Sequence, residues 1–122
     1  MSKKEFGEYL RKLRNDRGYS LGDLADGVGV TPYYISYIEN GKKTNPSKKI
    51  IANIFVKLKM TKAEIERFLD LHGKANGCVS YDIVEYIMSH DELREMIRLE
   101  RDDPNTSPDW DDFINNFMIN NK

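Results

Sequence analysis

The sequence contains a single cysteine, Cys78, among 122 residues. A lone thiol cannot close an intramolecular disulfide, and no His/Cys spacing suits zinc, so disulfide-stapled folds and zinc modules are set aside and a reducing, cytoplasmic setting is expected. Long apolar runs are missing too. The richest, Ile50 to Val56, is interrupted by Asn53 and falls far short of the roughly 18 residues of a membrane span. No apolar stretch of signal-peptide length follows the first six residues, so neither export nor a membrane partner is expected. The β-branched alternation that marks strands is nearly absent. What is present, 39% apolar and 32% charged residues with 11% aromatics, suffices for a core and excludes disorder by composition. The length fits one domain, or a small unit with an appendage, and is too short for two enzyme lobes.

The net charge of −1 conceals an imbalance. Residues 1–60 carry 12 Lys/Arg against 6 Asp/Glu, a net of +6, whereas residues 61–122 carry 7 against 14, a net of −7. A basic half can neutralise phosphates and release counterions; an acidic half would be repelled by the same polyanion. Solvated faces that differ by chance would give the same totals, so charge alone does not assign a partner.

Apolar residues recur at helical spacing along almost the whole chain, which predicts an all-α protein of eight short helices. The first, about Lys3 to Arg17, places Phe6, Leu10 and Leu13 on one face and stops at Gly18. Ser20 caps a second carrying Leu24 and Val28, with Asp23 near its N-terminus. Thr31-Pro32 starts a third that runs through Tyr34, Ile35 and Ile38 to Asn40 and is ended by Gly41. A basic loop from Lys42 to Pro46 leads to Ser47 and a helix burying Ile50, Ile51, Ile54, Phe55 and Leu58. Thr61 and Glu64 form a capping box for the next, with Ile65, Phe68 and Leu69 inward. Lys74-Ala75-Asn76-Gly77 is small and polar and reads as the domain boundary. Beyond it lie three amphipathic segments: Tyr81 to Met88, His90 to Arg101 with Leu93, Met96 and Ile97, and Pro108 to Ile119. In the last, Trp110, Phe113, Ile114, Phe117 and Met118 make one wide apolar stripe.

The second and third helices, joined by a turn of about three residues at Gly29, have the layout of a helix-turn-helix. Ala25 is small enough for close helix approach, Gly29 permits the sharp turn, and Leu24, Val28, Val30, Ile35 and Ile38 supply the buried faces. The run Leu-Ala-Asp-Gly-Val-Gly-Val-Thr-Pro-Tyr-Tyr-Ile-Ser-Tyr-Ile-Glu-Asn-Gly-Lys at 24–42 resembles the Cro/repressor-type (XRE family) regulators. The resemblance covers about residues 5–72, where that family has a five-helix domain. It implies a repressor-like helix-turn-helix domain, placed over 1–73; the charge count and apolar spacing add a small acidic helical region over 78–122. It also implies that Arg14 pairs with Glu39, tying the first helix to the recognition helix, an arrangement that favours positional specificity more surely than net stability.

Carried over from the family, Pro32, Tyr33, Ser36 and Tyr37 fall where its members meet bases or nearby phosphates, with Thr31 and Asn40 at the ends of the same helix. Here the chain departs from the pattern. Family members often place Gln, Arg or Ser there, and Pro and Tyr cannot supply bidentate readout, so base discrimination is either weak or carried by thymine methyls and DNA shape. Leu21 stands where the family commonly has a phosphate-binding Gln. Lys42, Lys43, Lys48 and Lys49, with the amides of the helix beginning at Ser47, are the compensating phosphate contacts, each weighed against a plain solvated surface charge. Tyr34 is expected to pack, and Tyr33 and Tyr37, four apart on one face, to project.

Enzyme readings have little support. His72 continues a buried face and pairs with no nucleophile, Cys78 is expected to be a small buried side chain, and Asp102-Asp103 and Asp111-Asp112 lack calcium-loop spacing and are expected on exposed faces. No cofactor or metal is implied. The reading is therefore a DNA-binding transcriptional repressor, its partners double-stranded DNA and a second copy of itself, because one helix-turn-helix covers a single half-site. The stripe Trp110, Phe113, Ile114, Phe117 and Met118, with the Leu93–Met96–Ile97 face, is its candidate dimer surface, internal packing being the alternative. The rival from another class is an antitoxin-like or adaptor module that captures a protein partner through 78–122.

Overall fold

A computed structural model describes residues 2–103. Among these the chain forms seven helices and no strand: α1 (Ser2–Asp16), α2 (Leu21–Val28), α3 (Pro32–Glu39), α4 (Lys48–Leu58), α5 (Lys62–Asn76), α6 (Tyr81–Met88) and α7 (Asp91–Asp102). The expected eighth helix, Pro108 to Ile119, and with it Trp110, Phe113, Ile114, Phe117 and Met118, lies outside the described residues. The chain divides into two compact units, Met1–Val84 and Glu85 onward.

The starts of the helices in the first unit are written in short-range chemistry. Ser20 accepts from the Asp23 N–H at 3.0 Å while the Asp23 carboxylate accepts from the Ser20 N–H, a reciprocal cap for α2. Those bonds hold the Asp23 carboxyl below its ordinary pKa. Thr31 caps α3 through the Tyr34 N–H with Pro32 at the first helical position, and Ser47 caps α4 through the Ile50 N–H. Thr61 and Glu64 form the expected box on α5. The Gly29 turn between α2 and α3 has φ +84°, a left-handed conformation that residues with a Cβ rarely adopt.

These caps aim apolar faces at one core of fourteen buried side chains, from Phe6, Leu10 and Leu13 on α1 to Phe68, Leu69 and Leu71 on α5. At its centre Phe68 meets the Phe6 ring edge-to-face at 4.9 Å and the Phe55 ring at 5.3 Å. Such pairs add about 1 kcal/mol beyond area burial. His72 is buried as well, packed between Phe6 and Tyr81, and neither ring nitrogen has a hydrogen-bond partner. Burial therefore pushes its pKa down, toward the neutral form.

Three departures from expectation have local causes. The segment 74–77 is not a separate polar loop: α5 continues through Asn76, and Gly77 closes the helix with φ +67°. The chain then folds back, the Ser80 hydroxyl donating to the Asp70 carboxylate. Cys78 is exposed rather than buried, because it sits on the turn that makes this reversal. Gly7, inside α1, carries no signal in the sequence. An added Cβ there would collide with the backbone carbonyls of Ile38 and Glu39, so α1 meets the end of α3 backbone to backbone.

In the second unit, the Arg94 guanidinium of α7 donates to the carbonyls of Ile87 and Met88, both at 3.1 Å, and to Asp91 at 2.6 Å. His90 stacks on Tyr86 with ring centroids 4.3 Å apart. Neither α6 nor α7 buries a single residue.

Candidate functional site

The site is built from the end of α1 outward. Glu39, the last residue of α3, is only 3% exposed, and a buried carboxylate demands partners. It has two. Arg14 grips it bidentately, Nε to Oε2 at 2.6 Å and a terminal nitrogen to Oε1 at 2.9 Å, and also donates to the Tyr19 carbonyl at 2.8 Å. These hydrogen bonds hold the Arg14 pKa above its ordinary value. The family resemblance implies this pair. It is silent on Arg11, whose Nε reaches Glu39 Oε1 at 3.3 Å and whose terminal nitrogen donates to Asn40 Oδ1 at 2.7 Å.

The hydrogen bonding continues along the exposed side of α3. Asn40 donates its amide to the Ser36 hydroxyl at 3.1 Å. The polar candidates Ser36 and Asn40 are thus bonded to each other and anchored to α1 through Arg11. Tyr33 is 77% and Tyr37 50% exposed, while Tyr34 turns its ring against the core. Because Glu39 points inward, the outward face of α3, Pro32, Tyr33, Ser36, Tyr37 and Asn40, carries no formal charge. Leu21, Pro32, Tyr33 and Ser36 line a shallow cleft of about 240 Å³ between the start of α2 and this face.

The lysines gather around α3 rather than on it. Lys42 and Lys43, just past the helix, lie 6.0 Å and 5.3 Å from the ring centroids of Tyr37 and Tyr34. Their loop is fixed from behind: Asn76 of α5 donates to the carbonyl of Thr44 and accepts from its hydroxyl at 3.1 Å, and Pro46 is fully buried. Lys48 and Lys49 stand exposed in the first turn of α4, which has no acidic residue, although Lys48 also lies 5.0 Å from the Tyr81 ring centroid. On the core side, Asn53 of α4 donates to the Val28 carbonyl at 3.1 Å, satisfying the C-terminal end of α2 beside the Gly29 turn.

A family model described as a helix-turn-helix domain matches residues 5–73. The chain belongs to this helix-turn-helix family. The transcriptional regulator SinR of Bacillus subtilis is 38% identical over 48 residues, covering 39% of this chain and 43% of SinR. The transcriptional repressor RghR of the same species is 42% identical over 55 residues, 45% of this chain and 41% of RghR. Among solved structures, the clp gene regulator ClgR of C. glutamicum is similar with a TM-score of 0.47 and 28% identity, covering 63% of this chain and 91% of that one. The helix-turn-helix chain spans less than half the length of the curated relatives it matches. In helix-turn-helix terms α3 is the second helix of the motif, and it is fastened at its C-terminal end by the Arg14–Glu39–Arg11 cluster.

Proposed function

We propose that the protein is a sequence-specific DNA-binding transcriptional regulator, acting in the cytoplasm as a homodimeric repressor that lays α3 in the major groove. The observation that carries this reading is the exposed, charge-free face of α3, held rigid from behind by Glu39 and followed by Lys42 and Lys43. That is a surface able to enter a groove while cations meet the phosphates beside it. The names of SinR and RghR, a regulator and a repressor, support it. Residues 1–73 serve as the DNA-binding part and 78–122 as the dimerisation part. On α7, Met96 is 62% and Ile97 48% exposed, and with Leu93 they border an apolar cleft of about 480 Å³. A second copy would cover this face, in line with the Trp110–Met118 stripe of the sequence.

Selection of the full chain against random duplexes, at low and physiological salt, tests the reading. A two-fold motif with half-sites about 10 bp apart is the expected result. Lys42→Ala/Lys43→Ala should then reduce the salt slope by about one unit for each phosphate that no longer meets a cation. The exposed α7 face equally suits an adaptor that captures another protein. That reading gains if the chain sediments as a monomer and selects no duplex.

A further inference from the structure

Resting on the DNA-binding reading above, we propose that the cleft lined by Leu21, Pro32, Tyr33 and Ser36 receives the 5-methyl group of an operator thymine, and that this contact, rather than polar readout, ranks one base sequence above another. Two observations converge on it. The first is what the polar residues of α3 are already doing. Asn40 accepts from Arg11 at 2.7 Å and donates to Ser36 at 3.1 Å, so the amide that could pair bidentately with adenine is bonded at both ends within the protein. No Arg, Lys, Gln or acidic side chain stands on the outward face to read guanine, adenine or cytosine instead.

The second observation is the shape and chemistry of the cleft. Leucine, proline and the tyrosine ring supply its walls at the N-terminal end of α3, the end that approaches base edges in a helix-turn-helix. Of the four bases only thymine offers an apolar group in the major groove. The occupant is duplex DNA rather than an apolar peptide because the cationic residues Lys42 and Lys43 follow the same helix, and the one carboxylate of α3 is withdrawn into the core. Leu21, a deficit if judged as a missing polar clamp, becomes a wall of this cleft.

The test uses the full chain and the duplex recovered by selection, prepared with thymine or with uracil throughout. Uracil keeps every hydrogen-bonding edge and lacks only the methyl. Burying one methyl is worth about fourfold in affinity, so two half-sites should lose about fifteenfold on the change to uracil. In Tyr33→Ala and in Pro32→Ala, both at exposed positions, the thymine-to-uracil ratio should fall toward one while the salt slope stays at the wild-type value. A wild-type ratio near one, with selective binding intact, overturns the methyl cleft and leaves the DNA-binding reading standing. A ratio that is large but the same in wild type and both variants assigns the effect to duplex deformability and also overturns the proposal. Failure to select any duplex overturns both together.

Discussion

The first five helices and the last two answer the same amphipathic pattern in opposite ways. Between α1 and α5 every apolar stripe finds another, and fourteen side chains vanish from solvent. In α6 and α7 the periodicity is at least as regular, yet no residue is buried, and Tyr86, Met88, Met96 and Leu99 are all more than half exposed. Periodicity states which face a helix would bury. It does not supply the surface that buries it.

That contrast breaks most sharply with a pair of truncations. Phe68→Ala should cost about 3 to 5 kcal/mol of unfolding free energy, whereas Met96→Ala should cost less than about 0.5 kcal/mol in dilute protein, as judged by denaturant midpoints at equal slope. If Met96→Ala proves costly only at high protein concentration, the α7 face is covered by another chain. Next in size is Glu39→Ala, expected at about 2 to 3 kcal/mol. The substitution strands Arg14, whose side chain is 12% exposed, while Arg11, 44% exposed, can turn to water. Gly7→Ala should follow at about 1 to 3 kcal/mol, since the new methyl meets backbone carbonyls that cannot rotate away.

The smallest effect is a dependence on pH. His72 has its folded pKa below the ordinary 6.5, so above pH 6.5 both folded and unfolded forms are neutral and its contribution is fully present. As pH falls below 6.5 the unfolded chain takes up a proton that the folded core refuses, and stability declines. Phe6 and Tyr81 are the rings against it, and neither they nor the Lys48 ammonium over Tyr81 brings a negative charge to stabilise the imidazolium. Asp23 and Glu64, whose pKa values are lowered by their capping bonds, lose their contribution only as pH falls into and below the ordinary carboxylate range. Thermal midpoints between pH 6.5 and 5 should therefore fall in the wild type and stay level in His72→Phe.

What the sequence makes legible is chemistry with a reach of three or four residues. Ser20, Thr31-Pro32, Ser47 and Thr61 with Glu64 each announce a helix start within one turn of themselves, and each stands at the start of a helix in the fold. The Arg14–Glu39 clasp spans 25 residues and is available only through the family resemblance. Arg11 on Glu39, Asn53 on the Val28 carbonyl and Asn76 on Thr44 span similar distances without a motif to flag them. Gly7 is the hardest case, because an absent side chain leaves no periodic trace. Cys78 defies expectation for a related reason: composition says that cysteines tend inward, but the reversal after Gly77 decides which residues of that turn face water.

The inward turn of Glu39 has one more consequence. Burial of Glu39 withdraws the only carboxylate of α3 and leaves its outward face neutral, so in the proposed DNA complex attraction would fall to the lysines beside the helix and choice to the uncharged residues upon it. Ionic strength acts on the first group and scarcely on the second. If the protein binds DNA as proposed, a change in salt should then alter how much of a duplex pool it occupies, while the order in which it prefers its sites holds constant.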